Sequence, residues 1–155
     1  MLARLSAALL CLLTVACASN KATVQEGVDP SQWTSAYVVR HDKDSHNIDR
    51  AFVDALHSHG LDAVSGPQRD STDAVDIQLE YVDRWNWDMT MYLRSLRVEV
   101  RDPANQRLLA SAEAMRDSLT RENPADTARK LMDEIFGVST EPAKEPESER
   151  YEDDW

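Results

Sequence analysis

Between Ser35 and Gly137 the spacing of apolar positions changes several times, and each change marks a new element. Ala36-Tyr37-Val38-Val39 is a short apolar run suited to a buried strand. The turn Asp42-Lys43-Asp44-Ser45 follows and offers an N-cap; Ile48, Ala51, Phe52, Ala55 and Leu56 then recur at helical spacing, and Gly60 stands where a helix is commonly closed. Leu61 to Val64 predicts a second short strand, stopped by Ser65-Gly66-Pro67. Val75, Ile77, Leu79, Tyr81, Trp85 and Trp87 then take odd positions against Asp76, Gln78, Glu80, Arg84 and Asn86, which predicts a half-buried strand with one wet face. The phase breaks around Asp88 to Met91. Leu96, Val98 and Val100 next alternate with Arg97, Glu99 and Arg101, as a hairpin partner does. Asp102 to Gln106 is a turn by its chemistry, and Leu108, Ala110, Ala112 and Ala114 continue as a third meander strand whose small residues leave room for a helix. The last element starts with Asn123 as N-cap, Pro124 at the first helical position and Asp126 in the first turn. Ala128, Leu131, Met132, Ile135 and Phe136 form its apolar stripe, and Gly137 closes it.

The expected order is β-α-β-β-β-β-α. It predicts an α+β domain over residues 33–137, with a mainly antiparallel sheet and two helices on one face. Residues 17–32 are polar and aperiodic after the cysteine and read as a flexible tether with a reach of about 20 Å. Residues 138–155 carry seven acidic residues against Lys144 and Arg150, together with Pro142 and Pro146, and read as an acidic disordered tail. Tyr151 and Trp155 are the aromatic exceptions in that tail.

At the other end, Arg4 is followed by an uncharged apolar run from Leu5 to Ala16, too short to span a bilayer and ended by small residues, so residues 1–16 read as an export signal. Leu13-Thr14-Val15-Ala16-Cys17 resembles the lipobox of bacterial lipoproteins, departing from it at Thr14, where that family usually has Leu. The resemblance implies that Cys17 receives a diacylglyceryl group before cleavage. With Cys11 inside the discarded signal, Cys17 is the sole cysteine of the mature chain, and lipidation accounts for an otherwise reactive thiol in an oxidising compartment. Several acyl chains anchor a protein essentially permanently where one does not. No Asp follows the cysteine, and by the same resemblance the expected location is the outer membrane, lipid-anchored and facing the periplasm.

Charge narrows the partners. A formal net charge of −11 repels nucleic acid and anionic headgroups, so neither DNA nor polybasic membrane docking is expected. His41, His46, His57 and His59 lack metal-ligand spacing, because His57 and His59 point about 200° apart on a helix and His41 and His46 flank a turn. No metal, cofactor or catalytic residue is expected: the chain has no Gly-x-Ser-x-Gly elbow, P-loop, dinucleotide fingerprint or His-Glu-x-x-His helix.

Trp85-Asn86-Trp87-Asp88 followed by Met89, Met91 and Tyr92 is the most distinctive stretch and one candidate contact surface for a partner or ligand, beside the wet sheet face with Gln78, Glu80 and Arg84 and the acidic tail. Because Trp85 and Trp87 continue the phase of Val75 to Tyr81, core packing is the first expectation. An exposed aromatic patch is the alternative, if the strand overhangs the helices. Trp87-Asp88, Tyr92-Leu93, Leu96, Asp102 and Leu109-Ala110-Ser111-Ala112 resemble a pattern found in small uncharacterised lipoproteins of Gram-negative bacteria. That resemblance implies an envelope protein, without assigning site residues. In element order the chain is also similar to accessory lipoproteins that activate cell-wall synthases and to N-terminal domains of outer-membrane assembly factors. The expected function is a non-enzymatic envelope module with a protein partner, with a small lipid- or ligand-binding lipoprotein as the alternative and an envelope hydrolase third.

Overall fold

Six strands and two helices make up the computed structural model, which describes residues 19–68 and 75–137. In chain order they are β1 (Ser19–Val24), β2 (Ser35–Val39), α1 (Ile48–Ser58), β3 (Asp62–Gly66), β4 (Ile77–Asp88), β5 (Thr90–Arg101), β6 (Leu108–Met115) and α2 (Pro124–Ile135). The segment expected to be an export signal, Cys17 and the segment expected to be an acidic tail lie outside the described residues.

The strands form one sheet in the order β1-β6-β5-β4-β2-β3. The α+β class holds, but the sheet is mixed rather than mainly antiparallel. β4, β5, β6 and β1 pair antiparallel in succession, whereas β2 is parallel to both of its neighbours, β3 and β4. The cause is the connection. A helix between two strands returns the chain to the end it started from, so β2-α1-β3 is a parallel unit, while tight turns make the later strands a meander.

A second correction concerns the expected tether. Ser19 to Val24 is a strand, paired with β6 from Ser19 opposite Met115 to Val24 opposite Ala110. Only Ala22 and Val24 pack on the core from it, too little apolar content to show as an alternating run. The chain beyond β1 is also built in: Asp29 caps a short 3-10 turn over Pro30–Gln32, and Trp33 meets Phe136 edge to face at 5.8 Å. The observed order therefore has one strand more than expected, at the front.

Both helices behave as their end signals predict, with one exception. Asn123 accepts the Ala125 N–H at 2.9 Å, and Pro124 opens α2. α1 ends with Gly60 at φ +85°, its N–H on the His57 carbonyl and that of Leu61 on the Leu56 carbonyl, a Schellman closure. The start of α1 differs. Asn47, at φ 57°, is the N-cap and makes no side-chain cap bond; Asp44 substitutes from upstream, accepting the N–H groups of His46 (2.9 Å) and Asp49 (3.1 Å).

The helices pack against each other and on one face of the sheet. Val38, Ile77, Leu79, Tyr81, Leu96, Val98 and Val100 meet Phe52, Leu56, Leu131 and Met132 in a single core. Each fully buried side chain of this size contributes about 1.5–3 kcal/mol. Ala110, Ala112 and Ala114 are buried under α2, the close approach their size permits.

Candidate functional site

The site is a consequence of unequal strand lengths. β4 and β5 are each 12 residues long, whereas β6 has 8 and β2 has 5. The last residue of β6, Met115, lies opposite Ser95, so the part of the hairpin from Trp85 to Leu93 runs on past its strand neighbours. The chain reverses at Met89, whose φ is +58°.

A β-bulge sets which side chains this extension shows. Arg84 pairs with Ser95 but Trp85 pairs with Leu93, leaving Arg94 as the extra residue. The bulge restores Leu93 to the core face and puts the exposed Arg94 beside the exposed Arg84. The two tryptophans part company here. Trp85 packs at the core margin, stacked on His46 at 3.7 Å with its indole N–H directed to Asp83. Trp87 is 68% exposed, opposite the exposed Met91, and Met89 at the turn is 84% exposed. The expectation of core packing thus holds for Trp85 and fails for Trp87, because no helix extends over the end of the hairpin. Tyr92 is half-buried and accepts the Asn86 side-chain N–H at 3.1 Å.

The loop from Arg116 to Asn123 takes the place of a strand alongside the extension. The Arg116 N–H reaches the Arg94 carbonyl at 2.8 Å. Arg121 donates to the Asp88 carbonyl at 2.6 Å and to the Thr90 hydroxyl, and lies 5.3 Å from the centre of the Tyr92 ring. Arg116 itself is nearly buried, paired with Glu122 at 2.6 Å and directed at the Ser19 carbonyl at 3.4 Å. Burial pushes the Glu122 carboxyl up, but hydrogen bonds from Lys130 and Arg116 and their charges outweigh it and hold it below the ordinary range. Leu119, at the bend of this loop, is 88% exposed. The hairpin end is therefore a held apolar surface.

On the face away from the helices, Val82, Arg84, Arg94, Arg97, Glu113 and Met115 border a groove of ≈ 680 Å³. Arg97 is paired with Glu113 at 3.0 Å; among the described residues Arg84 and Arg94 have no carboxylate partner. Of Gln78, Glu80 and Arg84, expected on this wet face, Gln78 is buried and donates to Glu80 at 3.0 Å, whereas Glu80 is half-buried and Arg84 exposed.

The histidines go four separate ways. His41 Nε2 lies 2.8 Å from the Tyr81 carbonyl, His46 stacks on Trp85, His57 Nε2 meets the Ala63 carbonyl at 2.9 Å, and His59 meets Asp133 at 2.9 Å while stacked on Phe136. Tyr81 and Asp44 form a partly buried polar tie. Burial raises the Asp44 carboxyl, but the Tyr81 hydroxyl and the backbone N–H groups of Asp49, His46 and Ile48 together lower it; the Tyr81 hydroxyl, buried against that carboxylate, is raised. These contacts fasten elements together.

Arg94 and Arg121 were not singled out from the sequence. The signal for Arg94 was present: Leu93 and Leu96 are three apart in a strand whose other apolar positions are two apart, which is the mark of a bulge. Arg121 sits in a loop without periodicity and gave no signal.

No family model and no curated protein matches the chain. Among solved structures it is similar to the PelC dodecamer from Paraburkholderia phytofirmans, with TM-scores of 0.56 for a point variant and 0.55 for PelC itself, 14% identity, and coverage of 78% of this chain and 96% of that one. Looser overlaps are a PDZ domain protein from Parabacteroides distasonis (TM-score 0.49, 15% identity, 79% of this chain and 36% of that one) and a minor lipoprotein from Acinetobacter baumannii (TM-score 0.36, 16% identity, 68% and 94%). At these identities the PelC likeness shows a shared fold alone.

Proposed function

We propose that the protein is an exported lipoprotein, anchored through acyl groups on Cys17 to the outer membrane, facing the periplasm, and acting without catalysis as a binding or accessory module for another envelope component. The observation that carries this reading is the uncharged run from Leu5 to Ala16 ending at Cys17, with no other cysteine in the mature chain. No helix among the described residues is long and apolar enough to cross a membrane. A binding role is supported by the contrast between two parts of the molecule. The polar groups of Asp44, Tyr81, Glu122 and His59 are engaged in ties between elements, whereas Trp87, Met89, Met91 and Leu119 are displayed on a braced hairpin and loop.

Intact-mass analysis of the membrane-extracted protein beside a Cys17→Ala variant tests the anchor. Separation of inner from outer membranes tests the location, and crosslinking followed by affinity purification tests the partner. A mature mass beginning at Cys17 with acyl chains, in the outer-membrane fraction, is the expected result. An unmodified diffusible protein overturns it.

The groove beside Arg84 and Arg94 favours a second reading, a small lipid- or ligand-binding lipoprotein. Its expected signature is a lipid or anionic small molecule in the native mass spectrum of the purified protein, lost in an Arg84→Ala, Arg94→Ala double variant.

A further inference from the structure

We propose that the end of the β4–β5 hairpin lies in the interfacial layer of the same bilayer that holds Cys17, with Trp87, Met89 and Met91 as the inserted residues. The inference rests on the lipid-anchor reading above and adds to it an orientation and a second contact.

Direction comes first. β1 and β5 both pair antiparallel with β6, so they run the same way, and Ser19 and Ser95 both lie opposite Met115. Read backwards along the chain, β1 and β5 therefore point from this row toward the same end of the sheet. The first path leads to Cys17, the second to the hairpin turn.

Length comes next. Cys17 is two residues ahead of Ser19 and stands at most about 7 Å from it. Thr90, at the start of β5, is about 15 Å beyond the row through Ser95 at the usual strand rise, less the bulge. The hairpin end thus projects about 8 Å past the furthest level Cys17 reaches, within the ~5–10 Å depth at which interfacial side chains sit. The residues from Ser19 to Val24 that would have served as a tether are spent in the sheet. Anchored so closely, the domain cannot stand clear of the headgroups, and the part of it that meets them first is the hairpin.

Chemistry agrees with the placement. Trp87, Met89 and Met91 are exposed and apolar, and Trp is favoured at the boundary between acyl chains and headgroups. Arg84 and Arg94 are exposed at the base of the extension, where lipid phosphates would lie, although the chain as a whole is acidic, and at the turn Arg121 lies 3.8 Å from the Asp88 carboxylate and offsets its charge.

The test uses the full acylated protein, its mass verified, reconstituted in vesicles of phosphatidylcholine with or without brominated acyl chains. The expected result is that bromine quenches the tryptophan fluorescence and that the Trp87→Phe variant loses most of that quenching. An acylated protein that floats with the vesicles but is not quenched, or is quenched equally in Trp87→Phe, overturns the hairpin contact and leaves the anchor standing. Trp87 shielded from both bromine and an aqueous quencher places a protein surface, such as a second copy, on the hairpin and also overturns it. Absence of acyl mass on Cys17 overturns the anchor and the orientation together.

Discussion

The Tyr81 hydroxyl donates a hydrogen bond to Asp44 Oδ2 at 2.7 Å, tying the middle of β4 to the segment that leads into α1. The same carboxylate oxygen accepts the Asp49 N–H, so one side chain caps the helix and fixes it over the sheet. Tyr81→Phe keeps the ring in the core and removes only the donor. The expected loss is about 1.5–3 kcal/mol in chemical denaturation, the range for a hydrogen bond to a charged group.

Acid sensitivity follows from the two carboxyls held low. Asp44 and Glu122 have folded values below their ordinary 3.8 and 4.5 despite burial, because hydrogen-bond donors and, at Glu122, two cations surround them. Their contribution is therefore complete above about pH 4.5 and is lost as the pH falls through the lower folded values. Denaturation midpoints measured from neutral pH downward are expected to hold and then drop below that point.

Glu122→Gln removes the charge that Arg116 and Lys130 share, leaving Arg116 nearly buried without a carboxylate. A cost of about 3 kcal/mol is expected, with a shallower acid limb in the same titration. A variant as stable as the parent would show that the cation finds water in place.

The tryptophans two residues apart should differ sharply. Trp85→Ala loses a stack on His46 and contact with the core, costing about 3 kcal/mol. Trp87→Ala, on an exposed ring, is expected within about 0.5 kcal/mol of the parent. Thermal or urea melts of the two variants decide this directly.

Gly66 is a glycine for reasons of space. A Cβ there would collide with the Tyr37 hydroxyl, which donates to the Pro67 carbonyl at 2.8 Å. Gly66→Ala is expected to cost about 1–3 kcal/mol by overpacking, and adding Tyr37→Phe should recover part of the loss. Simple additivity of the two costs would count against the contact as the cause.

Much of this architecture was written locally. Period-2 runs marked β4, β6 and the later half of β5, period-3.6 stripes marked both helices, and Asn123, Pro124 and Gly60 marked helix ends, because hydrophobic spacing and capping are properties of neighbouring residues. The strand β1 escaped because an edge strand borrows its hydrogen bonds from a distant partner and needs little apolar content of its own. The same non-local cause made the sheet mixed, since strand direction depends on which strands become neighbours.

The candidate site divides the same way. That Trp85, Trp87, Met89 and Met91 are an unusual cluster, and that Cys17 follows an export-like run, was decided by the sequence alone. Only the tertiary structure decided that Trp85 is covered and Trp87 bare, that Arg121 grips the turn, and that β1 begins at the hairpin end of the sheet. Exposure and direction depend on where other elements stop, and the ends of β6 and the helices are far away in the chain from the residues they leave uncovered.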